Sequence, residues 1–503
     1  MGQTTSPPGP KTGAFPEKAL TALLLTAIAI LLTYLAIRTE RFSGGGDTIT
    51  HYLLSRFSWQ HPHLLLDHWG KPVFTLLSSP FAQFGLIGVV MMNILLGVGS
   101  AWLAWRIARM LHEPNAWLLP VLVCFTPVYT ETILSGLTEV MFGFFLILPV
   151  FLFLKEKFIA GAILVSFSLL VRTEGVFLIP LYGLYLLGIR QYKALPFLLT
   201  GFVVYSIVGW FHFGDLFWLI NHMPYRGATD IYGTGKLTHF FGHAPKFFNP
   251  VITALVVIGL LALIPAWIKS IKGFLQPQDP HRAAITLIVL VFLAYFLAHV
   301  VMWKTGIGNS LGLRRYMAAI APLGAIVALI GMNRVFVWWA NRLPKLAEKV
   351  LQGLLIFLVI VLMVRSPFKT YPIPQKLYGM DLVVKQATDF IRESGLDSKK
   401  IYYYDPAVVV HLNLDPYDPE SGRERLYSVR WPQQQLEPGS IFIWDGHFAG
   451  NSGLKEADLL ENPYFDLVRT FEPDHQIIVF GREFRVHVFQ RNDMRWEAQP
   501  PAE

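Results

Sequence analysis

The stretch of this sequence best suited to chemistry begins Ser43-Gly44-Gly45-Gly46-Asp47. Three successive glycines free the backbone to turn sharply and deliver the carboxylate that follows them. A partly desolvated aspartate so placed can take a proton from an attacking hydroxyl. A solvated turn aspartate is the competing reading. The same stretch goes on to His51, His61-Pro62-His63 and Asp67-His68-Trp69-Gly70-Lys71-Pro72. Lys71, with His68 beside it, is suited to meet a lipid phosphate through a charge-assisted hydrogen bond. The alternative is an interfacial lysine that reaches toward the headgroups. The four histidines leave room for a divalent metal, but their spacing matches no zinc pattern. No cofactor follows from these residues.

Other charged residues stand at the ends of apolar runs. Glu131 and Glu139 open or close two consecutive runs, and Arg172-Thr173-Glu174-Gly175 interrupts two more. Ionisable groups at membrane depth are costly, which marks them as functional candidates. A carboxylate in a first helical turn is also favoured by the helix dipole, so Glu139 has a structural reading as well. For Arg172 the plain alternative is a tight turn with an internal ion pair to Glu174. Arg314-Arg315-Tyr316 precedes an apolar run on the face where basic residues are disfavoured. A pair of arginines there suggests an anion such as a phosphate.

These residues need elements to hold them in place. About 20 apolar residues cross the hydrocarbon core of a bilayer. Runs of that kind, some of them short, span 19–37, 86–105, 116–129, 140–154, 158–171, 176–189, 194–211, 251–268, 284–302, 317–332 and 350–364. The sequence thus predicts about eleven crossings. With the N-terminus in the cytoplasm, the inside segments carry fifteen Lys and Arg residues against eleven outside, although the outside loops are longer. That bias has the expected sign, and an odd number of crossings puts the C-terminus outside. Two outer loops are long, 38–85 and 212–250, and long loops are often functional.

Composition agrees with this picture. The chain has 503 residues, 53% of them hydrophobic and only 15% charged, where a soluble domain carries roughly 25% charged residues. The formal net charge of +8 is accounted for by loops that orient helices, and no basic stripe interleaved with aromatics points to nucleic acid. The single cysteine, Cys124, rules out an intramolecular disulfide and a CxxC zinc site. Residues 1–18 read as a disordered cytoplasmic tail, followed by an anchor in 19–37 and not by a cleaved signal. Residues 365–503 are richer in charge, Pro and Asp. They read as a small extracytoplasmic α/β domain, with a helix over 382–393 and strands over 401–404, 440–444, 476–480 and 484–489. Gly481-Arg482 is expected to form a hairpin turn between the last two. The chain has no repeat of fixed period and no nucleotide-binding glycine motif.

Taken in order, the candidate residues resemble the GT-C superfamily of polytopic glycosyltransferases, and within it the branch of protein O-mannosyltransferases and the lipid A aminoarabinose transferase. Gly45-Gly46-Asp47 looks like that branch's catalytic loop aspartate. Gly70-Lys71-Pro72-Val73-Phe74 is similar to its Lys-Pro motif, where lysine meets the donor phosphate, and Thr138-Glu139 stands where it has a second acidic residue. Arg172–Gly175 resembles its Arg-Pro-x-Gly turn, from which Thr173 and Glu174 depart. Arg314-Arg315-Tyr316, followed by Ala321-Pro322, looks like its Arg-Tyr helix entry. The resemblance covers about residues 19–332, and the histidine-rich stretch before Lys71 is not part of it.

The resemblance implies a GT-C membrane domain over 19–364, in the cell membrane and expected to be the bacterial inner membrane. It implies transfer of a sugar from a polyprenyl-phosphate donor to a hydroxyl on a lipid, glycan or protein acceptor, on the extracytoplasmic face and with inversion. Asp47 and Glu139 would be catalytic, while Lys71, Arg172, Arg314, Arg315, Tyr316 and His68 would bind substrate or phosphate. Membrane lipids are expected partners; nucleic acid is not. Two other functions compete with this one: a transporter or flippase for a lipid-linked substrate, and a non-catalytic GT-C relative. The first would be expected to have interrupted helices in two related halves, and the sequence has no such halves.

Overall fold

The computed structural model describes residues 17–40, 42, 45–224, 233–272, 280–308, 310–418, 422–423 and 431–495. Most of the expected N-terminal tail, Gly44 and part of the 212–250 loop lie outside these residues. Each of the eleven apolar runs falls in a helix or a bent pair of helices. Six helices are long and apolar enough to cross a membrane: Glu17–Arg38, Leu86–Met110, Tyr192–Phe213, Ile285–Thr305, Arg314–Ala340 and Lys345–Thr370. Two bent pairs raise the count to eight. Ala116–Cys124 meets Pro127–Ile133 at 66°, and His239–Phe247 meets Pro250–Pro265 at 120°. A proline opens the second member of each pair, and the residue before a proline is pushed out of the helical region. The chain is an integral membrane protein.

By length alone, six to eight of the eleven expected crossings qualify. The other three runs form Thr138–Leu154, Phe158–Leu170 and Thr173–Gly188, which are apolar but short. Charged turns end two of them, with Glu156 and Arg190 at positive φ. Arg314–Ala340 is the innermost long helix, and Lys345–Thr370 lies at the edge. The inner helix packs closely on Pro250–Lys272. A Cβ on Gly331 would sit 2.1 Å from the Leu255 carbonyl oxygen, and one on Gly259 would sit 2.2 Å from that of Val327. Small residues let the two backbones touch, which is how helices associate where lipid removes the hydrophobic drive.

The described part of segment 38–85 is largely helical. It contains the helices Gly46–Phe57 and Pro72–Ala82, with a short 3₁₀ turn at Pro62–Leu66 between them. Ile49, Tyr52 and Leu53 repeat at helical spacing and are buried.

Among the described residues, the strands all lie in the C-terminal region: β1 (Ile401–Tyr402), β2 (Gly422–Arg423), β3 (Ile441–Asp445), β4 (Phe465–Phe471), β5 (Ile478–Val479), β6 (Arg482–Glu483) and β7 (Val486–Arg491). Five of them form one sheet in the order β2-β1-β3-β7-β4. β1 pairs in parallel with β2 and β3; β7 is antiparallel to both β3 and β4. Helix Met380–Glu393 packs against β4 and β7 and buries Val383, Val384, Ala387 and Ile391. The hairpin forms one residue earlier than expected. Phe480 and Gly481, both at positive φ, join β5 to β6. β7 therefore belongs to the main sheet.

This region rests on the 38–85 segment. The Glu40 amide donates to the Gln375 carbonyl at 2.8 Å, and Lys376 pairs with Glu40. His61 Nε2 lies 2.9 Å from Asp415 Oδ2, and the Phe57 and Tyr417 rings meet edge-on. A Cβ on Gly46 would lie 3.7 Å from both Phe448 and Pro406. The C-terminal sheet region thus covers the first turn of the helix that carries Asp47.

Candidate active site

Asp47 owes its position to Gly45. With φ 62° and ψ −142°, Gly45 adopts a backbone conformation that L side chains resist, and the helix Gly46–Phe57 starts directly after it. Thr48 Oγ1 then donates to the Ser135 carbonyl at 2.9 Å, which ties this first turn to the loop before Thr138–Leu154. Asp47 is half-buried and paired with Arg315 Nη2.

Lys71 is positioned with similar care. Its own φ is 64°, uncommon for a residue with a side chain, and Pro72 opens the next helix directly behind it. Gly70 is needed here, because a Cβ would meet Leu54 Cδ1 at 2.8 Å and Thr75 Oγ1 at 2.9 Å. The Gly70 amide donates to Asp67 Oδ1 at 2.6 Å, and Thr75 Oγ1 donates to the Gly70 carbonyl at 2.9 Å. The Lys71 ammonium donates to the His68 carbonyl at 3.1 Å and to Thr173 Oγ1 at 3.3 Å. Burial pulls this ammonium down to about 8, against the attraction of Glu174.

Behind these groups lies a layer of ion pairs. Glu139 is buried in the first turn of Thr138–Leu154, and its Oε1 sits 2.9 Å from Arg172 Nη1 and 3.3 Å from Arg315 Nε. Arg172 also donates to Thr138 Oγ1 and to Glu174 Oε1, both at 2.8 Å, and its guanidinium lies over the Tyr316 ring at 5.1 Å. His299 stacks on Tyr316 and places Nε2 3.7 Å from Glu174 Oε1. Glu174, which departs from the resembled motif, is thus a working partner of Arg172.

Two cavities meet at Asp47. The first, ≈ 410 Å³, is lined by Asp47, Lys71, Arg172, Arg315 and Tyr316, with Thr173 and His299. It brings five of the eight expected residues into one space. Glu139 stands behind its wall and orients two of its cations. His68 contributes its carbonyl oxygen to Lys71, while its ring packs on Trp218. Arg314 is exposed and does not line the cavity. Reasoning from sequence did not single out Trp69 or His299 and named His51 only as a possible metal ligand; the Arg172–Glu174 pair is the one expected as the plain reading of that turn. His299 was detectable, being an ionisable residue inside the apolar run 284–302. The second cavity, ≈ 430 Å³, shares Asp47 and Trp69 and is otherwise walled mainly by the C-terminal sheet region. Among the described residues, no group of three or more His, Cys, Asp or Glu side chains could hold a metal ion.

No family model and no curated protein sequence matches the chain. Its structure does match solved ones. It superposes on ArnT from Cupriavidus metallidurans bound to undecaprenyl phosphate with a TM-score of 0.58 and 11% identity, covering 93% of this chain and 97% of that one. The apo state of the same enzyme gives a TM-score of 0.54 and 12% identity over the same shares. The chain shares the fold of these ArnT structures. The likeness extends through the C-terminal region as well as the helices, since 93% of this chain is aligned.

Proposed function

We propose that this protein is a membrane glycosyltransferase that moves a sugar from a polyprenyl-phosphate donor to an acceptor hydroxyl at the extracytoplasmic face. The observation that carries the reading is the position of Asp47, whose carboxylate lies where two cavities join, one of them lined by Lys71, Arg172 and Arg315. The donor phosphate would lie among these cations. The acceptor oxygen would attack the anomeric carbon, forming the new C–O bond as the bond from that carbon to the phosphate oxygen breaks. The polyprenyl phosphate keeps the electron pair, and the fixed cations neutralise its charge, so no general acid is needed for departure. Asp47 takes the proton of the acceptor. A single displacement inverts the anomeric centre.

The Asp47–Arg315 pair gives this scheme an order. While the guanidinium holds the carboxylate, Asp47 is engaged and not available to the acceptor hydroxyl. A donor phosphate competes for the same guanidinium and leaves Asp47 to the acceptor. Glu139 and Glu174 keep Arg172 and Arg315 oriented throughout.

The test is to incubate the purified protein with a panel of polyprenyl-phosphate sugars and membrane extract, and to follow polyprenyl phosphate release by mass spectrometry. Release is expected with at least one donor. In Asp47→Asn the rate should fall about 10²–10⁴-fold, the usual loss for a general base, with donor binding nearly kept. Equal turnover per folded molecule in the variant would remove Asp47 as the base. Transport of intact donor without release would favour a flippase.

A further inference from the structure

The two cavities that meet at Asp47 differ in chemistry. The first gathers three cations. In the second, among the described residues, Asp47 supplies the only formal charge in the lining, and no lysine or arginine takes part. Its walls are aromatic or small and neutral: Trp69, Tyr404 and Phe448, with Thr50, Asn451 and Ser452. His447 completes them, and burial lowers its pKa, which keeps the imidazole neutral.

The roof of this cavity is built and held in advance. Asp445, at the end of β3, is buried. Its carboxylate accepts hydrogen bonds from three successive amides, those of His447, Phe448 and Ala449, at 3.0, 2.5 and 3.3 Å. Asp405 holds the neighbouring loop in the same way, accepting from the Ala407 amide at 2.8 Å. These bonds fix Phe448 and Pro406 over Gly46, each 3.7 Å from where a Cβ would stand.

A phosphorylated group would enter this space with no lysine or arginine among its described lining residues, and Arg315, the cation at its inner end, is held by Asp47; burying a charge without a partner is costly. A sugar ring suits it better. Its C–H faces can lie on aromatic surfaces, while a few neutral polar groups orient its hydroxyls. We infer that the second cavity is the acceptor site and that it takes an uncharged, polyhydroxylated group, the sugar ring of a glycan, whereas the anionic partner is confined to the first cavity. The inference rests on the reading of Asp47 as the base. It adds that the C-terminal sheet region selects the acceptor.

The test uses the full chain in lipid nanodiscs. Maltotriose, mannotriose and chitotriose serve as neutral probes, glucose 6-phosphate as the anionic one, and saturation-transfer NMR reads binding. Undecaprenyl phosphate binding is measured in parallel by native mass spectrometry. At least one neutral trisaccharide should bind saturably. Phe448→Ala should weaken it roughly two- to tenfold, as loss of an aromatic contact does, with undecaprenyl phosphate affinity unchanged. Asn451→Ala, on the exposed rim, provides a second variant should Phe448→Ala fold poorly. No saturable trisaccharide binding, binding insensitive to both variants, or displacement by glucose 6-phosphate would each overturn the acceptor assignment. If undecaprenyl phosphate still binds in that case, the transferase reading survives. Trisaccharide binding that depends on Phe448, without undecaprenyl phosphate binding, would support the cavity and remove the donor reading.

Discussion

At the scale of single residues, Lys71 combines a strained backbone, a buried ammonium and neutral hydrogen-bond acceptors. Its lowered value of about 8 makes a pH test available. The ammonium is charged below that value and neutral above it. Undecaprenyl phosphate has lost its second proton well below pH 8, since a phosphate monoester has its second pKa near 6. Affinity for it should therefore hold from about pH 7 to 8 and fall as pH rises through roughly 8 to 10. In Lys71→Arg, whose guanidinium stays charged, the fall should vanish; in Lys71→Ala affinity should be low throughout, roughly ten- to a hundredfold below wild type. Isothermal titration across this range decides, and a pH profile shared by wild type and Lys71→Arg would take Lys71 out of the phosphate site. Arg172, Arg315 and Tyr316 stand out in the sequence as polar groups beside apolar runs, Asp47 by the glycines before it, and Lys71 by the Gly and Pro around it. Their partners were less legible. The Arg172–Glu174 pair could be expected from the turn, but nothing in the order of residues says that His299 stacks on Tyr316, or that Arg315 and not Arg314 turns inward.

At the scale of elements, the apolar runs were legible and their lengths were less so. Hydropathy marks where a helix can form, but the 66° and 120° bends depend on how a proline break packs. Edge strand β4 escaped notice because only Phe465 at its start is buried, so it lacks the alternation of a half-buried strand. The buried strand β3 was plain, its five residues all being apolar but the last. The contact of Pro250–Lys272 with Arg314–Ala340 can be tested by filling its glycine. Gly331→Leu would force a Cβ into the Leu255 carbonyl, 2.1 Å away, and overpacking of this kind costs about 1–3 kcal/mol. The variant should lose several degrees of Tm in detergent. Gly353→Leu, in Lys345–Thr370 with nothing within 4 Å of its Cβ, should lose none. Equal Tm for the two variants would show that the backbones do not touch at Gly331.

At the scale of the whole molecule, the arrangement requires that the site and the C-terminal sheet region share one side of the membrane. That region reaches Glu40, His61 and Gly46, so Ser452, which lines the second cavity, lies on the same side as Asp47. Thr138–Leu154 starts beside Arg172 and runs away from it. Its 17 residues span about 26 Å at 1.5 Å per residue, which carries Lys155, Glu156 and Lys157 to the far end. Two lysines in a three-residue turn are what the positive-inside tendency places in the cytoplasm. The two ends therefore make opposite predictions, and the chain suits the test, because its single cysteine, Cys124, is buried and gives little background. Ser452→Cys should react with a membrane-impermeant maleimide on intact cells. Glu156→Cys, at an exposed position, should react only after permeabilisation. Both substitutions lie on surfaces, so folding should be kept, and Tm checks that directly. Labelling of both cysteines from outside would mean that Thr138–Leu154 does not cross, and the charge bias would then reflect something other than orientation. Labelling of Ser452→Cys only after permeabilisation would place the site in the cytoplasm, where a donor presented on the outer leaflet could not reach Lys71.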